Sequence, residues 1–287
     1  MTIRTILVPV RGDGKGEGVL DHAEALGRAF DAHLSVVHCR AKPEELLPYS
    51  TMITESMRQT ILESARATAA DEEAHLQGLF MDYLEARDIV LVEEPPVPEG
   101  RVSASWHEIE GHQAAIVAVR GRLADVIAVA QPEKSGVSGH KTLESALLET
   151  AKLVLMCPPK PTDRIGGHVC VGWNGGAEAA RAISAAMPIL EAADKVTVFS
   201  SPHGLEDKLS ADDLREHLGW HDVNAEVTTM NVGATEVGNM LLAETGRAGG
   251  DVLLIGGYGH SRRRELVMGG VTRHVIEHAD IPVLLVH

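Results

Sequence analysis

Aromatic residues are scarce: three Trp, three Tyr and three Phe make up 3% of 287 residues. The apolar share of 44% rests instead largely on Ala, Val and Leu, and with 23% charged residues it fits an ordinary globular protein rather than a disordered chain. Cysteine is almost absent. Cys39, Cys157 and Cys170 each sit beside an apolar run and share no short metal-type spacing, which points to buried free thiols and away from a disulfide framework. Positive charge is also in deficit, with 26 Lys and Arg against 41 Asp and Glu and a net charge of −15. Such a surface repels phosphate backbones and anionic lipid, so nucleic acid and membrane are excluded as partners, while small anions in local pockets are not. Long hydrophobic runs are missing too. The apolar core of the first segment covers only 6–10, too short for a signal peptide, and nothing approaches the roughly 20 residues that span a bilayer. A cytoplasmic location is expected.

What the sequence does contain is a repeat. RTILVPVRGDGKGEGVLDHAEAL near the start and HVCVGWNGGAEAARAISAA past the middle share a plan of apolar strand, Gly-rich turn and amphipathic helix. The ends of the two halves repeat as well: LADVIAVA, a helix and AKLVLMC parallel GGDVLLIGG, a helix and IPVLLVH. Between the copies, the Pro-rich segment 158–163 (PPKPTD) has the composition of a linker. The length suits two domains, expected at 1–157 and 164–287.

Short, nearly continuous Val, Ile and Leu runs predict five buried parallel strands per half. They are 3–10, 33–39, 102–108, 125–130 and 153–156, then 168–172, 195–200, 225–232, 251–256 and 282–286. Helical patterns alternate with them; Val19, Ala23, Leu26 and Phe30 form one apolar stripe. Each half is therefore expected to be a doubly wound α/β unit of the flavodoxin-like kind. A long helix over about 57–84, with Met57, Ile61, Ala65 and Ala69 four apart, accounts for the greater length of the first half and is expected to serve as packing surface.

Ligands of a doubly wound sheet bind beyond the C-terminal strand ends, where the strand order reverses. In the second half the fourth strand runs into Gly256, Gly257, Tyr258, Gly259, His260 and Ser261, then Arg262, Arg263 and Arg264, then Gly269 and Gly270. The spacing reads G-x2-G-x9-G-G. Glycines so placed uncover backbone N–H groups and let the chain approach phosphate oxygens. The three arginines could neutralise phosphate, or form a solvated basic face.

At this loop the chain resembles the universal stress proteins, strongest over 251–287 and weakest over 43–101, and the resemblance extends over the tandem. It implies ATP or another adenine nucleotide bound in the C-terminal domain, with Gly256, Gly259 and Gly269 as phosphate-loop glycines. Gly270 stands where the family has Ser or Thr, and Asn174 stands where it has an Asp facing the ribose. The resemblance also implies pairing through the final strand of each half, which the tandem can satisfy as an intrachain pseudo-dimer, with any homodimer using a different surface.

The first half lacks this loop. AVAQPEKSGVSGHKT places Ala130 and Glu133 where the first two glycines belong, and a carboxylate there opposes phosphate. Its first turn, Arg11 to Gly18, fits neither dinucleotide nor P-loop fingerprints. It reads either as an anion-holding turn through Arg11 and Lys15 or as a plain connector.

His274, Val275, Ile276, Glu277 and His278 spell H-x-x-E-H, but only nine residues follow and none is the Glu that a zinc site of that type needs. His217 and His221 are interrupted by Gly219. No G-x-S-x-G occurs, and no catalytic constellation is found. The reading is a non-enzymatic, nucleotide-binding or nucleotide-sensing regulator of the stress response. A ligand-free scaffold of the same fold is the alternative, and a nucleotide hydrolase lacks an evident base or Mg²⁺-binding carboxylate near the loop.

Overall fold

The computed structural model describes residues 2–11, 14–40, 42, 54–133, 137–201, 208–233, 235–257 and 270–287. The apolar runs form strands because both faces of nearly all of them are covered. The first half supplies β1 (Thr5–Val10), β2 (His33–Arg40), β3 (Val90–Leu91), β4 (Ser103–Glu110), β5 (Val126–Ala130) and β6 (Leu153–Cys157). The second supplies β7 (His168–Trp173), β8 (Lys195–Ser200), β9 (Ala225–Thr229), β10 (Val252–Gly256) and β11 (Val283–Val286). The helices are α1 (Gly16–Gly27), α2 (Glu55–Ala86), α3 (Gln113–Arg120), α4 (Val137–Glu149), α5 (Ala177–Ala192), α6 (Ala211–Gly219), α7 (Val237–Ala248) and α8 (Gly270–His278).

These strands hydrogen-bond into one sheet, in the order β3-β4-β2-β1-β5-β6-β11-β10-β7-β8-β9. Pairing is parallel within each half and antiparallel only where β6 meets β11. The two flavodoxin-like, doubly wound units expected from the sequence are present, each with its own strands in the order 3-2-1-4-5. The first unit adds β3 at its edge, two residues too short to give a readable run. β4 runs two residues past the expected end because Ile109 and Glu110 stay in register with Cys39 and Arg40.

The registers fix which residues of the two halves correspond. Thr5 pairs with His33 as His168 pairs with Lys195, and Leu7 pairs with Ile127 as Cys170 pairs with Leu253. Ile127 in turn pairs with Val154 as Leu253 pairs with Val283, so Leu155 corresponds to Leu284. Those two residues lie directly opposite each other across β6 and β11, flanked by Met156–Val283 and Val154–Leu285. A pseudo-twofold axis therefore passes through the Leu155–Leu284 pair. All six of these residues are fully buried.

Alternation along the strands sends their side chains into two cores, one on each face. One holds Ile6, Leu155 and Leu284 with buried side chains of α1, α2, α5 and α6; the other holds Leu7, Val154, Met156 and Leu285 with those of α3, α4, α7 and α8. Each core runs without a break across the junction between the halves. The thiols of Cys39, Cys157 and Cys170 lie inside, unbridged, and burial raises all three pKa values, that of Cys170 to about 11.

Two aspartates hold the units at their far ends in the same way. Asp251, just before β10, accepts hydrogen bonds from the backbone N–H groups of Gly166 (2.8 Å), Gly167 (2.9 Å) and His168 (2.9 Å). Its counterpart Asp125 accepts from the N–H groups of Arg4 and Thr5 and from the Thr5 hydroxyl. Each carboxylate ties the start of a first strand to the start of a fourth.

α2 opens on Thr54, whose side chain accepts from the Met57 N–H. Only Leu62, Phe80, Tyr83 and Leu84 of this helix are buried. It thus packs chiefly through its C-terminal end, and Met57, on the stripe read from the sequence, is 57% exposed. At that end Arg87 reaches Asp21 (2.6 Å) and Glu24 (3.0 Å), lies over the Tyr83 ring, and so joins α2 to α1. The Tyr83 hydroxyl donates to Asp21.

Asp251→Ala would leave three backbone donors without their charged acceptor. Its unfolding free energy should fall by about 2–4 kcal/mol, against less than about 0.5 kcal/mol for the exposed linker change Asp163→Ala. Denaturant melts of the two variants check this, and equal midpoints would contradict it. His22, fully buried on α1, donates from Nδ1 to the Gly18 carbonyl at 2.6 Å, and burial holds its pKa below the usual 6.5. The unfolded chain therefore binds this proton more readily than the native one. The contribution to stability is complete above about pH 6.5 and is lost as pH falls below it. His22→Gln should show a shallower loss of stability between pH 7 and 5, and an unchanged slope would count against the assignment.

Candidate functional site

Because each unit's strand order reverses between its first and fourth strands, each has a topological switch point, one beyond the ends of β1 and β5 and one beyond β7 and β10, where ligands of such sheets bind. In the second, the Trp173 indole N–H at the end of β7 donates to the carbonyls of Leu209 and Ser210. Asn174 follows, and its Oδ1 accepts from the Gly176 N–H at 2.9 Å, closing a turn in which Gly175 takes a φ of +63°. α5 begins directly after, with Gly176, which has no side chain to form a cap, as its N-cap.

Gly256, the last residue of β10, presses on that same first turn. A Cβ built there would lie 2.5 Å from the Ala179 nitrogen, so only glycine lets the strand end close on the helix start. The Gly257 N–H donates to the Val286 carbonyl at 2.6 Å. The structure thus brings Asn174 and Gly256, 82 positions apart in the sequence, to one helix N-terminus. It also brings Glu178, which the sequence reading missed, into the first turn of α5, its carboxylate 3.8 Å from Arg181. Gly270 opens α8 and is exposed, and among the described residues no atom lies within 4 Å of where its side chain would project. Gly259, Gly269 and the three arginines lie outside the described residues.

Arg11 corresponds to Asn174, Ala130 to Gly256 and Glu133 to Gly259. Beyond β1 and β5 lies a cavity of about 190 Å³, lined among others by Val10, Arg11, Lys15, Gln113, Glu133 and Thr142. Gln113 donates from Nε2 to the Pro9 carbonyl and accepts from the Thr142 hydroxyl at 3.2 Å. Lys15 Nζ stands 2.6 Å from Glu133, and this hydrogen-bonded ammonium holds the Glu133 carboxyl below its usual range. No local signal could have placed Gln113 and Thr142 here, since they arrive on α3 and α4 through tertiary packing. Gln131, another lining residue, donates to the carbonyls of Ile276 (2.8 Å) and Ala279 (3.0 Å) at the end of α8, across the junction.

His274 and His278 share a face of α8 with ring centroids 4.3 Å apart, while Glu277 is held by Arg273 at 2.7 Å. Partial burial, and then the neighbouring His278, lower the His274 pKa. α6 ends at Gly219, so His217 and His221 do not share a helix. Among the described residues no group of three His, Cys, Asp or Glu is arranged to hold a metal ion, and no helix is long and apolar enough to cross a membrane.

A search of curated protein sequences finds no match. Among solved structures, a universal stress protein from Archaeoglobus fulgidus DSM 4304 superposes with a TM-score of 0.71 at 13% identity, covering 98% of this chain and 97% of its own. A chain from Pseudomonas aeruginosa UCBPP-PA14 provisionally named a universal stress protein gives 0.56 at 18% identity, with 99% and 93% covered. A functionally unknown protein from Pseudomonas aeruginosa PAO1 gives 0.55 at 16% identity, with 99% and 92% covered. These likenesses establish the fold over the whole chain, and the sequence profile of the Universal stress protein family matches residues 167–287. Residues 167–287 thus form a universal stress protein domain, and the chain as a whole is a tandem of the universal stress protein fold.

Proposed function

We propose that the chain is a stress-response regulator that binds an adenine nucleotide, ATP being the reference ligand, once per chain in the crevice between β7 and β10. The observation that carries this reading is the convergence of the Asn174 turn and the glycine strand end at Gly256 on the first turn of α5, whose N-cap, Gly176, has no side chain to cap it. The N–H groups and the partial positive charge of a helix start favour a phosphate, and a strand end without side chains lets it approach. Asn174 commits its oxygen to the turn and keeps its amide N–H groups for a sugar hydroxyl. The family match to this half supports the same placement.

The proposed role is binding and sensing, not catalysis. Glu178, the carboxylate at this helix start, faces Arg181, and Asp251 is spent on three backbone N–H groups at the opposite end of β10. A scaffold reading, with no ligand in either unit, draws on the Lys15–Glu133 pair that occupies the first crevice from within.

Calorimetry with ATP separates the readings. The wild-type chain should bind one equivalent. Gly270→Ser adds a hydroxyl at the exposed start of α8 and should tighten binding by at most about 1.5–3 kcal/mol, one hydrogen bond to a charged group. Gly259→Val, which puts a branched side chain into the glycine spacing, should weaken it by at least about tenfold, or about 1.4 kcal/mol. Two equivalents per chain, no binding at all, or a Gly259→Val protein that binds as well as wild type would overturn the proposal.

A further inference from the structure

The outer strands of the first unit carry a polar cluster that nucleotide binding leaves unused. His33 on β2 and Ser103, Ser105 and His107 on β4 project from the sheet face that bears α3 and α4, and they form one chain of contacts. His33 Nδ1 lies 3.0 Å from the Ser103 hydroxyl, and its Nε2 lies 3.0 Å from that of Ser105. The same Ser105 oxygen lies 3.2 Å from His107 Nε2. Both serines are fully buried and both rings half-buried. We propose that these four side chains form a proton-sensitive latch on the outer edge of the first unit, closed while both imidazoles are neutral and opened when either takes a proton.

The protons available fix the direction of the chain. A neutral imidazole offers one N–H and one acceptor nitrogen, and a hydroxyl donates once. Among the described residues, the Ser103 hydroxyl has no acceptor other than His33 Nδ1. It therefore donates there, His33 donates from Nε2 to Ser105, and Ser105 donates to His107 Nε2, which leaves the His107 proton on Nδ1. Every polar atom from Ser103 to His107 Nε2 is then paired.

An added proton breaks this order wherever it lands. On His33 it occupies Nδ1 and turns the Ser103 hydroxyl from its acceptor; on His107 it occupies Nε2 and does the same to Ser105. Either way a fully buried hydroxyl loses its acceptor beside a new charge. Burial first, and His107 second, hold the His33 pKa below 6.5 against the pull of Glu93 in the loop after β3. Asp125, reached through Thr5 on β1, is already engaged by the backbone N–H groups of Arg4 and Thr5. Since the unfolded chain binds the His33 proton more readily than the native one, the edge is fully held above about pH 6.5 and weakens as pH falls below it.

The second unit has a permanently charged contact in the same place. By the strand registers Lys195 corresponds to His33 and Glu226 to Ser105, and these two form an ion pair at 2.8 Å. The hydrogen-bonded lysine holds the Glu226 carboxyl below its usual range, so it stays ionised where His33 titrates. His168 bonds the Thr197 hydroxyl there, a single imidazole on a single hydroxyl.

The test uses the full-length chain, with imidazole NMR titrations to read the cluster and amide hydrogen exchange to read the edge. In the wild type His33 should titrate below 6.5, and His107→Gln, which removes the second ring, should raise that midpoint. Between pH 7 and 5, with intrinsic exchange corrected for, the β4 amides should lose at least about threefold more protection in the wild type than in His33→Gln, where His22 still titrates. A His33 midpoint at or above 6.5, a midpoint that His107→Gln leaves unchanged or lowers, or a β4 response that survives His33→Gln would overturn the proposal. The two titrations require no change at His33, so they decide the matter even if His33→Gln fails to fold. No nucleotide enters these measurements, and their outcome is separate from that of ATP binding in the second unit.

Discussion

Three residue pairs, Met156–Val283, Leu155–Leu284 and Val154–Leu285, join two parallel sheets by antiparallel pairing, and the rest of the architecture depends on that junction. A parallel unit whose fifth strand stood at an edge would present a row of unpaired backbone groups flanked by Val, Leu and Met. Pairing the two edges satisfies the backbone and buries the side chains in the same step. Since Leu155 faces its own counterpart Leu284 and the flanking pairs Met156–Val283 and Val154–Leu285 are equivalent to each other, the contact is self-complementary in the manner of a twofold dimer interface, here within one chain. The two cores, continuous through the junction on both faces, make the halves one mechanical body.

The symmetry ends at the crevices. Asp125 and Asp251 hold the two units alike, and the N–H groups of Gln131 and Gly257 make equivalent bonds to Cys157 and Val286. At the opposite strand ends the units diverge. Where the second unit has Asn174, Gly256 and a glycine-spaced loop, the first has Arg11, Ala130 and Glu133, with an ion pair drawn across the opening. Gln131 adds a one-sided tie, since it lines the first cavity and holds the end of α8, whereas its counterpart Gly257 has no side chain to return the contact. One scaffold thus carries two different sequences after its fourth strands, with Glu133 in the first unit standing 126 positions before Gly259 in the second.

Much of this was legible in the sequence because buried parallel strands need continuous apolar runs, and ten of them stand out. β3 was not, since two residues carry no periodicity, and neither was the shape of the first cavity, whose polar wall comes from α3 and α4. The Gly-rich loop showed its spacing in the sequence, and Gly256 proves to be required for helix contact. Met57 illustrates the opposite case. An apolar stripe predicts a packed face, but a stripe on a helix that extends beyond its sheet has nothing to pack against, and only the C-terminal end of α2 finds the core. Lys15 and Glu133 were each read as charges bearing on an anion, but their pairing required the fold to bring together residues 118 positions apart.

The central claim, that the two halves form one sheet through β6 and β11, is tested most directly by native-state hydrogen exchange at the backbone amides of the junction. Amides engaged between Val154–Met156 and Val283–Leu285 should exchange only on global unfolding, among the slowest in the chain, while the outer edge of β9 exchanges through local opening. Junction amides that exchange as fast as those of the β9 edge would mean that the halves separate in solution, and would contradict the account.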